Sequence, residues 1–390
     1  MKVNHLKVEN ICDFIGGSQP PKSKFINEPQ PDYVRLIQTR DYKTDTFPTY
    51  IPKNSTKKFC DEQDIMIGRY GPPIFQICRG LKGAYNVALL KAKPKIGIDR
   101  EFLYYFLKQE SVFQYVDKLS ARTGGQTGVD LVSLNKYPVS VPANIEDQKK
   151  LVASLYVIDK KINLNNLINI ELEAMAKTIY DYWFVQFDFP DANGKPYKTS
   201  GGKMVYNPTL KREIPEGWAD ATIGQILGRV PASTRVNSTS YSITGLTPVI
   251  DQGQDYICGY TDDTDSIVPV NDAHIIFGDH TRTVKLVNFN YARGADGTQI
   301  LISNSKRVPN YLFYQMVSAI DLSNYGYARH YKFLKECKII VPNEAVATKF
   351  TNIVCPLFEK RKHNIFENIE LANLRDWLLP MLMNGQVTVK

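Results

Sequence analysis

The sequence has no apolar run approaching the roughly 18 residues that span a bilayer, and its start, MKVNHLKVENICDF, lacks the apolar stretch and small-residue cleavage site of a signal peptide. The expectation is a cytoplasmic protein with no membrane partner. Cysteine is sparse: Cys12, Cys60, Cys78, Cys258, Cys337 and Cys355 stand apart without a C-x-x-C pair, and the five histidines are equally scattered. Neither a disulfide framework nor a zinc site is suggested. Catalytic signatures are missing too: there is no phosphate loop, no dinucleotide fingerprint, no H-E-x-x-H and no G-x-S-x-G. Asn207-Pro208 runs on into Thr209-Leu210, without the aromatic residue that an amino-methyltransferase uses to hold a flipped adenine. Catalytic, cofactor-binding and metal-ligating residues are therefore assigned to none of the positions.

What the chain does have is an ordinary globular composition, 43% apolar and 23% charged over 390 residues, enough for two or three domains. The net charge of +8 is unevenly spread. Residues 1–143 hold 21 basic against 14 acidic side chains, while 217–342 hold 11 of each, so a preference for polyanions is visible only in the first stretch.

The chain also repeats itself once, at an offset of about 200 residues. Val139-Ser140-Val141-Pro142 returns as Ile339-Ile340-Val341-Pro342, and Asn169-Ile170-Glu171-Leu172 returns unchanged as Asn368-Ile369-Glu370-Leu371. After each Val-Pro the spacing becomes helical. Leu151, Leu155, Ile158, Ile162, Asn165, Asn169, Leu172, Ala176, Ile179 and Trp183 alternate steps of four and three, a heptad seam. Shifted by 199 the seam reads Phe350, Val354, Leu357, Arg361, Asn364, Asn368, Leu371, Arg375, Leu378 and Leu382. A buried Asn fixes register when it meets another, so the doubled Asn positions predict that these helices pack on each other. Arg361 and Arg375 interrupt the second seam, Pro356 predicts a kink or a helix start, and Pro380 a stop or bend in the last turn.

Each helix is preceded by about 130–140 residues of short β-rich and mixed segments, which read as an α+β unit. The segment 187–218, rich in Gly, Pro, Lys and Asn, reads as a linker. In the first unit, polar, basic and aromatic clusters gather at Ser18, Gln19 and Lys22, at Arg35, Gln38 and Arg40, at Arg69, Tyr70 and Arg79, and at Arg122, Thr123 and Gln126. The second unit offers Thr234 and Arg235, His280, Thr281 and Arg282, and Tyr327, Arg329, His330 and Lys332. Arg grips guanine in bidentate fashion, Gln and Asn do the same for adenine, and Gly-rich loops let backbone N–H groups reach phosphates. These are candidate DNA-contacting residues.

Two variable units of similar size, each ending in Val-Pro and a long helix and joined through GKPYKTSGGKMVYNPTLKREIPEGW, resemble the specificity subunit of type I restriction-modification systems. The likeness covers the whole chain and is most specific at Gly194–Trp218, with its Ile-Pro-x-Gly-Trp opening of the second unit, at Ile275–Thr281 with Gly294-Ala295-Asp296-Gly297, and at Gly326–Leu334. It implies target recognition domains at 1–143 and 217–342, long helices at 144–185 and 343–390 and a central segment at 186–216. The fold class is then α+β, with two recognition domains separated by an antiparallel coiled coil in a pseudo-two-fold repeat.

Further implications are a non-catalytic role, reading of one half of a split asymmetric double-stranded DNA site by each domain, and half-site spacing set by the helices. Two modification subunits would dock on the chain and a restriction/translocase subunit would complete the complex, with S-adenosylmethionine, ATP and Mg on those partners. Pairing would use Leu151, Leu155, Ile158, Ile162, Asn165, Asn169, Leu172 and Ile179 against Val354, Leu357, Asn364, Asn368, Leu371 and Leu378. Two rival readings stand beside this one: a nuclease using the Glu-x-Lys pair Glu336 and Lys338, and a helical scaffold that does not touch DNA.

Overall fold

The computed structural model describes residues 2–71, 74–123, 126–230, 232–326 and 329–386. The chain divides into two compact units, one made of 1–162 with 369–390 and the other of 163–368. Each unit thus takes one portion of either long helix.

Both units contain a domain of the same topology. In the first, Tyr50–Pro52, Tyr33–Ile37, Gly83–Tyr85 and Phe59–Cys60 form one sheet in that order, with the central pair parallel. In the second, Gly259–Thr261, Thr247–Ile250, Tyr291–Arg293 and Ile267–Val268 do the same, again with a parallel central pair. A second sheet orders Ile77–Cys78, Ile65–Gly68, Leu89–Pro94 and Cys12–Gly16; its counterpart orders Val284–Val287, His274–Gly278 and Thr298–Leu301, with a single bridge from Leu227 to Ser303 in place of the fourth strand. Ile65–Gly68 and His274–Gly278 are buried at every residue. Strands covered on both faces read as continuous apolar runs rather than alternations, which is why those stretches stand out in the sequence.

Each domain closes on a two-stranded tie. Val3–Lys7 pairs with Pro138–Pro142, and Ala219–Thr222 pairs with Lys338–Val341. The repeated Val-Pro thus ends the strand that hands the chain to its helix. In the first domain, helix Arg100–Leu107 is capped by Asp99, whose carboxylate accepts from Phe102 N. It buries Phe102, Leu103 and Tyr105 against the strands and against Leu151 and Leu155 of the first long helix. In the second, Tyr311, Leu312 and Phe313 of helix Asn310–Ser318 pack with Ile275, Phe277, Phe350 and Val354.

The first long helix runs Ile145–Tyr180 and continues as a π-helical turn, Asp181–Val185; the second runs Glu344–Met383. The helix start expected at Pro356 and the stop expected at Pro380 are absent, because the second helix passes through both prolines. Pro356 and residue i−4, Asn352, are exposed, so the freed carbonyl faces water, while Phe350, Val354 and Phe358 are almost wholly buried on either side. Anchoring three such side chains outweighs the roughly 3 kcal/mol cost of an interior proline. Pro380 is likewise exposed between buried Leu379 and Leu382.

Within the second unit the helices pair in opposite directions. Asn165 Nδ2 donates to Asn368 Oδ1 at 2.9 Å, Asn364 Nδ2 donates to Asn169 Oδ1 at 2.9 Å, and Arg361 pairs with Glu173. In the first unit Arg375 reaches Asp159 at 2.9 Å. The two arginines that interrupt the apolar seam are therefore paired and mostly buried. Leu378 joins the first domain's core with Leu151 and Leu155, and Leu357 and Ile179 join the second's with Val354. Ile158 is buried, while Ile162, Leu172 and Leu371 are half-buried.

The segment 186–216, read as a linker, is instead packed into the second unit. Met204–Asn207 and Arg212–Pro215 form a hairpin, and Phe189 stacks on Trp218 at 5.1 Å and on Tyr197 at 4.6 Å. Phe187 turns the chain away from the helix with a left-handed φ of 67° and meets Trp218 edge-on. Its Gly, Pro and Lys content suits a linker, but aromatic residues spaced by turns give no periodicity to detect.

Candidate nucleic-acid interface

The second domain holds a polar cleft of about 400 Å³ lined by Arg235, Asn237, Tyr241, Gln252 and Asp296 among others. Its walls are loops following buried strands. Asp251-Gln252-Gly253 leaves Thr247–Ile250, and Asp279–Arg282 leaves His274–Gly278. Gln252 ties three of these loops together. Its Nε2 donates to Asp296 O at 2.8 Å, its Oε1 accepts from His280 N at 3.1 Å, and its backbone carbonyl accepts from Thr281 Oγ1 at 2.6 Å. The close approach demands glycine: a Cβ on Gly278 would lie 2.1 Å from Thr281 Oγ1, and Gly297, at φ 80°, abuts the Gln252 amide.

Asp279 braces the remaining loop, its carboxylate accepting from Tyr331 N at 2.8 Å and its carbonyl from His330 N at 2.9 Å. Arg282, at φ 62°, projects from this scaffold with an exposed side chain, Nη1 3.4 Å from Leu322 O. Thr234, Arg235, Thr281, Arg329 and Lys332 are exposed as well, and Arg235 lies 4.0 Å from Asp296. Buried lysine also serves structure here: Lys285 Nζ donates to Asp251 O at 2.9 Å, and burial lowers its pKa.

Two sequence-based assignments in this domain change. His330 is 1% exposed, with Nδ1 facing Asp279 O and Nε2 facing Gly326 O, so it shapes the loop and does not reach out of it. Tyr327 lies outside the described residues. Gln252 was missed, although Asp-Gln-Gly-Gln directly after a fully buried strand is the signal that would have found it.

The first domain places its candidates on corresponding loops. Gln38 and Arg40 follow Tyr33–Ile37 as Asp251 and Gln252 follow Thr247–Ile250, and Arg69 and Tyr70 follow Gly68 as Asp279 and His280 follow Gly278. Gln38 Nε2 donates to Thr49 Oγ1 at 3.2 Å, and Arg40, about half exposed, lies 3.8 Å from Asp41. Arg69 stacks over Tyr70 at 5.1 Å. Tyr70 bridges to Gly128, at the end of the hairpin Ala121–Thr123/Gln126–Gly128. Arg122, Thr123 and Gln126 thus stand on that hairpin, beside Arg69 and Tyr70 in backbone terms; their side chains lie outside the described residues. Ser18 Oγ shares a hydrogen bond of 2.5 Å with Thr56, while Gln19 and Lys22 are exposed.

Arg35 and Arg79 leave the candidate surface. Arg35 is paired with Asp45 at 2.6 Å and its side chain is 19% exposed. Arg79 is held by Glu101 at 2.6 Å and lies 3.8 Å over the Tyr104 ring, at the contact with the long helices. Sequence spacing could not separate Arg79 from Arg69, because both directly follow a strand, while Arg35 lies within Tyr33–Ile37.

Among the described residues, no three His, Cys, Asp or Glu side chains gather as a metal site. Lys338 Nζ donates to Thr209 O at 3.3 Å, and exposed Glu336 is joined by no such cluster, so the nuclease pair lacks the carboxylates it would need. No helix among the described residues is long and apolar enough to cross a membrane.

Residues 2–174 match the family described as type I restriction modification DNA specificity domain. The type I restriction enzyme MjaIX specificity subunit of Methanocaldococcus jannaschii is 26% identical, over 76% of this chain and 71% of its own. The HindI specificity subunit of Haemophilus influenzae is 23% identical, over 74% of this chain and 77% of its own. A solved S subunit of a type I restriction-modification system from M. genitalium shares the fold at a TM-score of 0.57 and 15% identity, covering 98% of this chain and 96% of that one. With the family match over residues 2–174 and curated relatives of one kind along about three quarters of its length, the chain is similar to type I restriction-modification specificity subunits.

Proposed function

We propose that this chain is the DNA specificity subunit of a type I restriction-modification complex, each domain reading one half of a split, asymmetric target in double-stranded DNA. The duplicated sheet topology, with loops at matching places carrying Arg, Gln and Thr, is the observation that carries it. Two different loop sets on one scaffold suit two different half-sites, since sequence is read by side chains at base edges and the scaffold only positions them.

In this reading the subunit is non-catalytic. Two methyltransferase subunits dock on the chain and bring S-adenosylmethionine, and a translocating nuclease subunit that uses ATP and Mg completes the complex in the cytoplasm. Gln19, Lys22, Arg40, Arg69, Thr234, Thr281, Arg282, Arg329 and Lys332 are the DNA-facing side chains it favours. Long-read mapping of adenine methylation in a host with and without this gene tests it. A split motif that disappears with the gene supports the reading, and motifs unchanged by the deletion overturn it.

A further inference from the structure

The two arginines in the second helix's seam each pair with a first-helix carboxylate, an arrangement that the proposed function does not use. In the first unit Arg375 Nη1 binds Asp159 Oδ1 at 2.9 Å. The other oxygen of Asp159 accepts from Tyr105 OH at 2.8 Å and lies 3.7 Å from Arg79, which in turn binds Glu101 at 2.6 Å. Asp159 is 8% exposed, so one carboxylate of the first helix is shared by the second helix and by the domain in a mostly dry site.

In the second unit Arg361 pairs with Glu173 of the first helix, and its guanidinium lies 4.3 Å over the Tyr256 ring of the domain. Tyr256 is fixed by its hydroxyl, which donates to Leu286 O at 2.5 Å, and Asn288 Nδ2 ties the same domain to Glu359 of the second helix at 2.8 Å. The same three kinds of group meet in both units, a second-helix arginine, a first-helix carboxylate and a domain tyrosine, with the tyrosine hydroxyl on the carboxylate in the first and the ring under the guanidinium in the second. The arginines are 14 residues apart, two heptads, and so occupy the same seam position.

Buried ion pairs of this kind are rarely better for stability than apolar residues of equal volume. They differ in having one satisfying arrangement, since a guanidinium rotated off its carboxylate leaves both charges desolvated, whereas apolar contacts tolerate sliding. We propose that Arg361 and Arg375 are positioning residues that fix the angle at which each recognition domain is carried on the helix pair, and thereby restrict the complex to one spacer length between half-sites.

This inference rests on the function proposed above. The test assembles the full chain with its methyltransferase subunits and measures methylation on a DNA library whose half-sites are separated by the native spacer or by one or two base pairs more or less. Arg375→Met and Arg361→Met are expected to keep both half-site sequences and to raise methylation at the off-by-one spacers roughly tenfold relative to the native one. Asp159→Asn, which removes charge without changing shape, should do likewise, and Arg375→Lys should fall between. An equal loss at every spacer, as for a merely structural residue, or an unchanged spacer profile overturns the proposal. If Arg375→Met does not assemble, Asp159→Asn decides by the same two criteria. A wild-type complex that methylates no split motif defeats the functional reading instead, so the two failures are distinguishable.

Discussion

Asn364 is fully buried and donates to Asn169 at 2.9 Å, while its own Oδ1 meets no protein donor among the described residues. Replacing Asn169 alone by Leu removes that acceptor and strands the Asn364 amide, at a cost of about 1–3 kcal/mol. Replacing Asn364 alone removes its unmatched carbonyl but strands Asn169, and should cost less, since Asn169 is only half-buried. Replacing both removes every stranded group and adds apolar burial worth about 1.5 kcal/mol or more per fully covered Leu. The double variant is therefore expected to be at least as stable as the natural chain, with a coupling of about 2 kcal/mol between the sites. Urea unfolding of the four proteins, with unchanged m-values, measures this directly. Additivity within about 0.5 kcal/mol would refute the paired-amide argument.

Other consequences are as direct. Trp218→Ala empties the aromatic cluster over Phe184, Phe187 and Phe189 and should cost about 3–5 kcal/mol in thermal unfolding, whereas a true linker would lose almost nothing. Arg282→Gly keeps the left-handed backbone while removing the charge; it should weaken the assembled complex on DNA, relaxing one base if Arg282 reads a base edge or lowering the salt slope by about one if it meets phosphate. Binding with unchanged affinity, specificity and salt slope counts against the second-domain surface. Gln252→Leu releases the loops at 280 and 296 and should weaken recognition of the second half-site only, as read from methylation of targets altered in one half. Burial lowers the His274 pKa from 6.5 to about 4. The unfolded chain therefore takes up the proton first, so this contribution to stability is whole above about pH 6.5 and is lost as pH falls toward 4. His274→Gln should flatten that part of the melting-temperature profile.

The repeat was legible because its carriers are local: a Val-Pro that ends a strand and a seam of four and three. Arg361 and Arg375 looked like flaws in that seam because their partners, Glu173 and Asp159, lie about 190 and 216 residues away in the chain. A helix start at Pro356 was misleading for the opposite reason, since the proline's local cost is real but the burial that keeps the helix going is tertiary. At the interface, loops after buried strands could be picked out, and Arg69 and Arg282 sit on them. What composition could not supply was the direction of each arginine: Arg79 and Arg35 turn into ion pairs, and His330 turns inward onto carbonyls.

The amide pairs also bind the two halves of the gene to one another. Asn165 meets Asn368 while Asn169 meets Asn364, so partners run in opposite directions along the two helices. One residue inserted between Asn165 and Asn169 would turn everything beyond it by about 100° and advance it about 1.5 Å, taking one amide off the seam while the other stayed. Only steps near a heptad, matched in both helices, keep every partner. A change in helix length is therefore a two-locus event, one in each copy of the repeat, and lineages of this chain should differ in both helices together or in neither.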